Sequence, residues 1–284
     1  MIRNFFFFVI DKALNSYYSA MEEQISIIVP IIVALLTGGF IILFLENQHV
    51  GANVIERYHF IMKPFMHQLS NYFKFLSSAK TYFSINRGTK KEDAEYIFKF
   101  KDLMDCLGHY AYPCIMSGQD YPASKFSANQ LECLCKDINN VWWYWDRKRN
   151  YMNGYCTYDS YKAERFGQFG REYLNEVFPH KYDDKQFSLD LISDVSGTFY
   201  TEVYQPIQHV PFQYEQWCKE EKHFKNWTML TIGFSLFTLA IVLLCRYFTP
   251  LCVMNLLTLV NIALLVFVLY KFSKLESLAR KLFR

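Results

Sequence analysis

Three long stretches without a single charge constrain this chain more than any other feature: Ile25 to Leu45, Asn226 to Cys245 and Tyr247 to Tyr270. A helix needs about 20 apolar residues to cross a hydrocarbon core roughly 30 Å thick, because backbone polar groups cannot be left unpaired in lipid. Each stretch meets that length. Glu22, Glu23 and Glu46 bound the first, Arg246 follows the second and Lys271 closes the third. The first begins too far into the chain, and lacks the small-residue cleavage pattern, to read as a cleaved secretory signal.

The expected fold class is therefore all-α: three transmembrane helices, one N-terminal and two forming a C-terminal hairpin, with an inserted cytosolic helical-bundle domain. The expected divisions are an interfacial helix over 1–24, a first span over 25–45 and a helical domain over 46–225. A second span over 226–245, a third over 247–270 and a basic amphipathic tail over 271–284 follow. A hydrophobic fraction of 52%, with 27 Phe, 21 Tyr and 5 Trp, can supply a domain core and a lipid-facing surface at once.

Sidedness is read from Lys and Arg near the spans. Lys219, Lys222 and Lys225 precede the second span, and Lys271, Lys274, Arg280, Lys281 and Arg284 follow the third. Both clusters mark one side as cytosolic, which places the domain and C-terminus in the cytosol and the turn around Arg246 outside. The localisation expected is a plasma or inner cell membrane. Acidic and basic residues balance between 47 and 225, so the overall +3 belongs to the tail. That charge suits a membrane surface and makes nucleic acid an unexpected partner. Most of the cysteines fall in the cytosolic domain, where thiols stay reduced, so no disulfide framework is expected.

Within 52–84, Val54, Ile55, Tyr58, Ile61, Met62, Phe65, Leu69, Tyr72 and Leu76 recur at spacings of three and four, predicting a long helix with Pro64 as a kink. Thr89 with Glu92 and Ser127 with Gln130 carry capping-box spacing, opening helices to about Tyr110 and Asn150. Pro113, Gly118 and Pro122 predict a loop between them. Further helices are expected over 160–178, 186–204 and 212–225. The last runs into the second span without a breaker.

Phosphate-binding loops, dinucleotide fingerprints, nucleophile elbows and paired-histidine zinc motifs are missing from the sequence. No cofactor is expected, and the balance leans away from an enzyme. Asp102, Asp105, Cys106 and His109 share one helical face near Cys114, a weak candidate metal site, although Cys-x2-His-x4-Cys matches no common zinc module. Trp143 and Tyr144 fall off the apolar stripe of their helix and precede Arg147, Lys148 and Arg149, a candidate surface for a protein partner or the membrane.

The spans hold no ionisable residue in their interiors, which argues against proton relays and voltage sensing. They do hold polar ones. Thr228, Thr231, Ser235 and Thr238 form one stripe on the second span, with Asn255, Thr258 and Asn261 on the third. Folding the hairpin pairs Thr238 with Thr258 and Ser235 with Asn261. The stripe then acts as a hairpin lock or, in an oligomer, lines a pore. Ala34, Gly38 and Gly39 on the first span allow close approach of another helix.

The function expected is a non-enzymatic sensor or effector of the lipid bilayer. Its cytosolic domain binds a protein partner or ligand and acts on an oligomeric, pore-forming membrane region, with homo-oligomers formed in the bilayer. The alternative is a membrane-anchored scaffold or assembly subunit; the third is a membrane-bound enzyme or metal-binding protein centred on His109.

Overall fold

A computed structural model describes the backbone of residues 2–85, 91–152, 156–244 and 251–282. Side chains are described for 27–82, 98–141, 159–244 and 252–282, apart from Leu107, Ser160 and Phe166. The expected interfacial face of residues 1–24 lies outside those side chains.

Helix α1 runs Ile2–Lys80, continuing through Pro30 and Pro64. Strand β1 (Phe83–Ile85), helix α2 (Lys91–Ser117), a 3-10 turn at Ala123–Lys125 and helix α3 (Ala128–Met152) follow. Strand β2 (Cys156–Tyr158), α4 (Ser160–Phe166), α5 (Gln168–Val177) and α6 (Leu189–Thr198) complete the middle of the chain. A π-helical turn at Phe199–Tyr204 and a 3-10 turn at Gln205–Ile207 lead into α7 (His209–Leu244) and then α8 (Leu251–Leu282). The helical class holds with one addition. β1 and β2 form a two-stranded antiparallel ribbon, Phe83 opposite Tyr158 and Ile85 opposite Cys156.

The chain forms two compact units, Glu56–Glu215 and a second made of Met1–Ile55 with Gln216–Arg284. The expected domain, 46–225, contains the first unit and extends past it at both ends. Inside the second unit Gly51 lies so close to α7 that a Cβ there would stand 3.4 Å from Glu221 Oε1 and 3.6 Å from the Trp217 ring. α1 and α7 each contribute residues to both units.

The core of the 56–215 unit is aromatic. Tyr72, Phe73, Phe75, Phe100, Phe187 and Phe199 are all fully buried. Tyr72 stacks on Phe199 at 4.7 Å between centroids. Tyr58 stacks on Tyr214 at 3.7 Å. α2 does not stop at Pro113 but continues to Ser117. Proline forfeits one backbone hydrogen bond in a helix, and here Ala111 and Cys114, on either side of it, remain buried in the core. Packing outweighs the lost bond.

Asp159 starts α4, accepting the Lys162 backbone N–H at 3.0 Å, while its own N–H donates to Tyr82 O at 3.0 Å. That N–H of Lys162 holds the Asp159 carboxyl below its ordinary range, with the Lys162 ammonium adding to it. A depressed folded pKa adds stability that is present above the unfolded carboxyl range and lost as pH falls through the folded value. Asp159→Ala is therefore expected to lower thermal stability at pH 7 and to converge on the parent in strong acid. Melting curves at stepped pH values check this; a gap that widens in acid would be the contrary result.

The 1–55 and 216–284 unit carries the three helices long and apolar enough to cross a membrane. Leu35, Ile42, Leu230, Phe237, Leu244 and Leu259 are each more than 60% exposed on it, a density of exposed aliphatic surface that lipid satisfies and water does not. The C-terminal end of α8 differs from the expected tail. α8 continues unbroken to Leu282, and Leu275, Ala279 and Leu282 are buried. Phe272 meets Phe224 at 5.8 Å and Lys274 bonds Glu220 at 2.9 Å. The apolar face of the expected amphipathic tail is covered by protein, because it continues in phase with the packed face of α8.

Candidate functional site

Most uncharged polar side chains in the apolar stretches of the 1–55 and 216–284 unit are turned inward. Thr228, Thr231, Ser235, Thr238, Thr258 and Asn261 are all buried, and Thr37 and Asn47 of α1 join them. Most of these hydroxyls first satisfy their own helices. Thr37 donates to Val33 O at 2.8 Å, Thr228 to Phe224 O at 2.8 Å, Thr238 to Phe234 O at 2.9 Å and Thr258 to Met254 O at 2.9 Å.

Two bonds then tie the helices together. Ser235 and Thr37 hydroxyls lie 2.6 Å apart. Since the Thr37 proton is spent on Val33 O, Ser235 is the donor. Asn261 Nδ2 donates to Thr238 Oγ1 at 3.3 Å and, with its other hydrogen, to Leu257 O at 2.8 Å. α7 is thus bonded to α1 through Ser235 and to α8 through Thr238. Val29, Val33, Val242 and Met254 form an apolar cluster in the same unit, with Leu239 against it.

The pairing differs from the one drawn on the sequence. Asn261 reaches Thr238 instead of Ser235, and Ser235 is taken by α1. Asn255 is exposed and stands outside the seam. Asn47 keeps both amide atoms buried without a hydrogen-bond partner among the described residues, as does the Asn261 side-chain carbonyl. Thr37 and Asn47 were missed in the sequence for different reasons. Thr37 sits inside the Ala34-to-Gly38 small-residue pattern, and Asn47 follows Glu46, which reads as the membrane border.

The small residues divide. Gly39 would place a Cβ 3.7 Å from Leu265 Cδ1, so it faces α8, whereas Gly38 has nothing within 4 Å. Ala34 is exposed.

The residues proposed for metal binding are not brought together. Asp105 pairs with Lys80 at 2.8 Å, Cys114 is buried in the core, and Cys106 and His109 are exposed. Burial pushes the Cys114 thiol up, and burial with Asp137 nearby pushes Cys106 up, so neither is poised as a thiolate. Among the described residues no group of three or more His, Cys, Asp or Glu is placed to hold a metal ion. The side chains of Trp143, Tyr144, Arg147, Lys148 and Arg149 lie outside the described residues.

No protein-family model, curated protein or solved structure matches the chain.

Proposed function

We propose that this protein is a non-enzymatic membrane sensor or effector. Its helical unit at 56–215 faces the cytosol and receives a protein partner or small ligand; the three-span unit, as a homo-oligomer in a cell membrane, carries the response. One observation supports the reading most: α1 and α7 each belong to both units, so the same continuous helices that build the receiving core also build the membrane unit.

The inward seam bears on how the membrane unit acts. A pore lined by Ser235, Thr238, Thr258 and Asn261 requires breaking the Ser235–Thr37 and Asn261–Thr238 bonds. Each is worth only about 0.6 kcal/mol on average in a bilayer, yet both are made within one protomer. The packing role is therefore favoured over a pore lining. The same observation supports the second reading, a membrane-anchored scaffold whose spans serve only to hold it.

Expression of the chain while following membrane potential separates the two. Depolarisation is the effector's result; an inert membrane with stably co-purifying proteins is the scaffold's. In the effector, replacing Ser235, Thr238, Thr258 and Asn261 together with alanine is expected to lower stability by about 1 kcal/mol, two interhelical bonds' worth, with depolarisation persisting in proportion to folded protein. Normal assembly with conductance abolished would reinstate the pore lining.

A further inference from the structure

In the 56–215 unit, the C-terminal half of α2, the 3-10 turn and the first turns of α3 enclose a cleft of about 450 Å³. Tyr110, Phe126 and Leu134 give it an apolar wall; Lys125, Asn129, Gln130, Cys133 and Asp137 supply its polar atoms. The Tyr110 and Phe126 rings stand 6.1 Å apart, and both pack on Tyr121, at 6.5 and 5.4 Å. The wall is thus a braced aromatic surface.

The charges around it are unevenly matched. Lys125 is drawn over the Tyr121 ring, its Nζ 4.6 Å from the centroid. Lys136, next to Asp137 in the chain, is paired with Glu132 at 2.9 Å. The Gln130 side-chain oxygen accepts the Ser127 backbone N–H at 2.9 Å. Asp137 has no ion pair among the described residues; its side-chain partner is the neutral Asn140, and partial burial holds its carboxyl above the ordinary range. A carboxylate losing water without gaining a cation, in a cleft lined by two aromatic rings, is the arrangement an ammonium ion on an apolar body complements, through its charge and through contact with the rings.

We propose that this cleft binds a small organic cation, a primary ammonium on an aromatic or aliphatic body, with the ammonium at Asp137 and the body against Tyr110 and Phe126. The assignment deepens the reading of the 56–215 unit as the receiving part and rests on it. Its test measures occupancy alone, so a failure here leaves the membrane-potential experiment to decide that reading independently.

Cys133 lines the cleft and is exposed, so its alkylation reports occupancy at the site itself. The full chain in lipid nanodiscs is treated with iodoacetamide and the Cys133 modification rate is followed by mass spectrometry. Three probes of one shape are titrated in turn: phenethylammonium, neutral N-acetylphenethylamine and anionic phenylacetate. Saturable protection by phenethylammonium alone is expected, with Asp137→Asn raising the half-protecting concentration at least tenfold. No protection, equal protection by the neutral probe, protection by phenylacetate alone, or an unchanged response in a folded Asp137→Asn protein would each overturn the assignment. If that variant does not fold, the charge selectivity among the three probes on the parent protein decides.

Discussion

Replacing Tyr72 with alanine is expected to destabilise the 56–215 unit by about 3–5 kcal/mol, the range for deleting a large buried aromatic. Tyr72 is fully buried and stacked on Phe199, the first residue of the π-helical turn that follows α6. Its hydroxyl lies 2.7 Å from Ser196 Oγ. Ser196 spends its own proton on Ile192 O at 2.6 Å, so Tyr72 is the donor. Burial pushes the phenol well above its usual range, and it stays a protonated donor at any working pH. Tyr72→Phe keeps the ring and loses that one bond, which costs about 1 kcal/mol. Ser196 retains its bond to Ile192 and is not orphaned. Thermal unfolding of the two variants should show a drop on the order of 10 °C for alanine and a few degrees for phenylalanine. Equal losses would mean that the hydrogen bond, not the stack, holds α1 against α6.

A methyl group at Gly167 should cost about 1–3 kcal/mol, as overpacking does. Gly167 joins α4 to α5 with φ −88°, a value any residue adopts, so its requirement is one of space and not of backbone freedom. The Cβ of an alanine there would stand 2.1 Å from Ala163 O, which already accepts the Gly167 N–H at 2.7 Å. A backbone oxygen cannot rotate away as a side chain can. Relief must come from opening the α4–α5 corner. Gly38→Ala, with nothing within 4 Å, is the matched control and should stay within about 0.5 kcal/mol of the parent. Loss of folded protein at Gly38 but not at Gly167 would contradict the close-approach account.

The elements legible in the sequence are those whose environment imposes a period or a length. Lipid demands uncharged runs long enough to span it, and three such helices are present. The three-and-four spacing from Val54 to Leu76 singled out Val54, Tyr58, Met62, Phe65, Leu69, Tyr72 and Leu76, all of them buried. Ile55, in the same list, is exposed, and Ile61 is half-buried. The β1–β2 ribbon left no comparable trace, since three residues per strand are too few to show an alternation. Pro113 predicts a loop because proline's local cost is visible in sequence and its tertiary compensation is not. The seam was half legible. Threonine and serine at helical spacing give the stripe, but which helix each hydroxyl meets depends on how three helices turn about one another, and Thr37 entered by that route. The Asp137 cleft left no motif at all, because its parts come from three separate elements.

The most direct test of the account concerns the membrane orientation on which a cytosolic receiving unit depends. Single cysteines are placed at Tyr161, which is 71% exposed, and at Thr249, between α7 and α8 in the sequence, on a background without native thiols. Intact cells are then treated with a membrane-impermeant maleimide. The account predicts labelling at position 249 in intact cells and labelling at position 161 only after permeabilisation. Labelling at 161 in intact cells, with 249 protected until the membrane is opened, would contradict it.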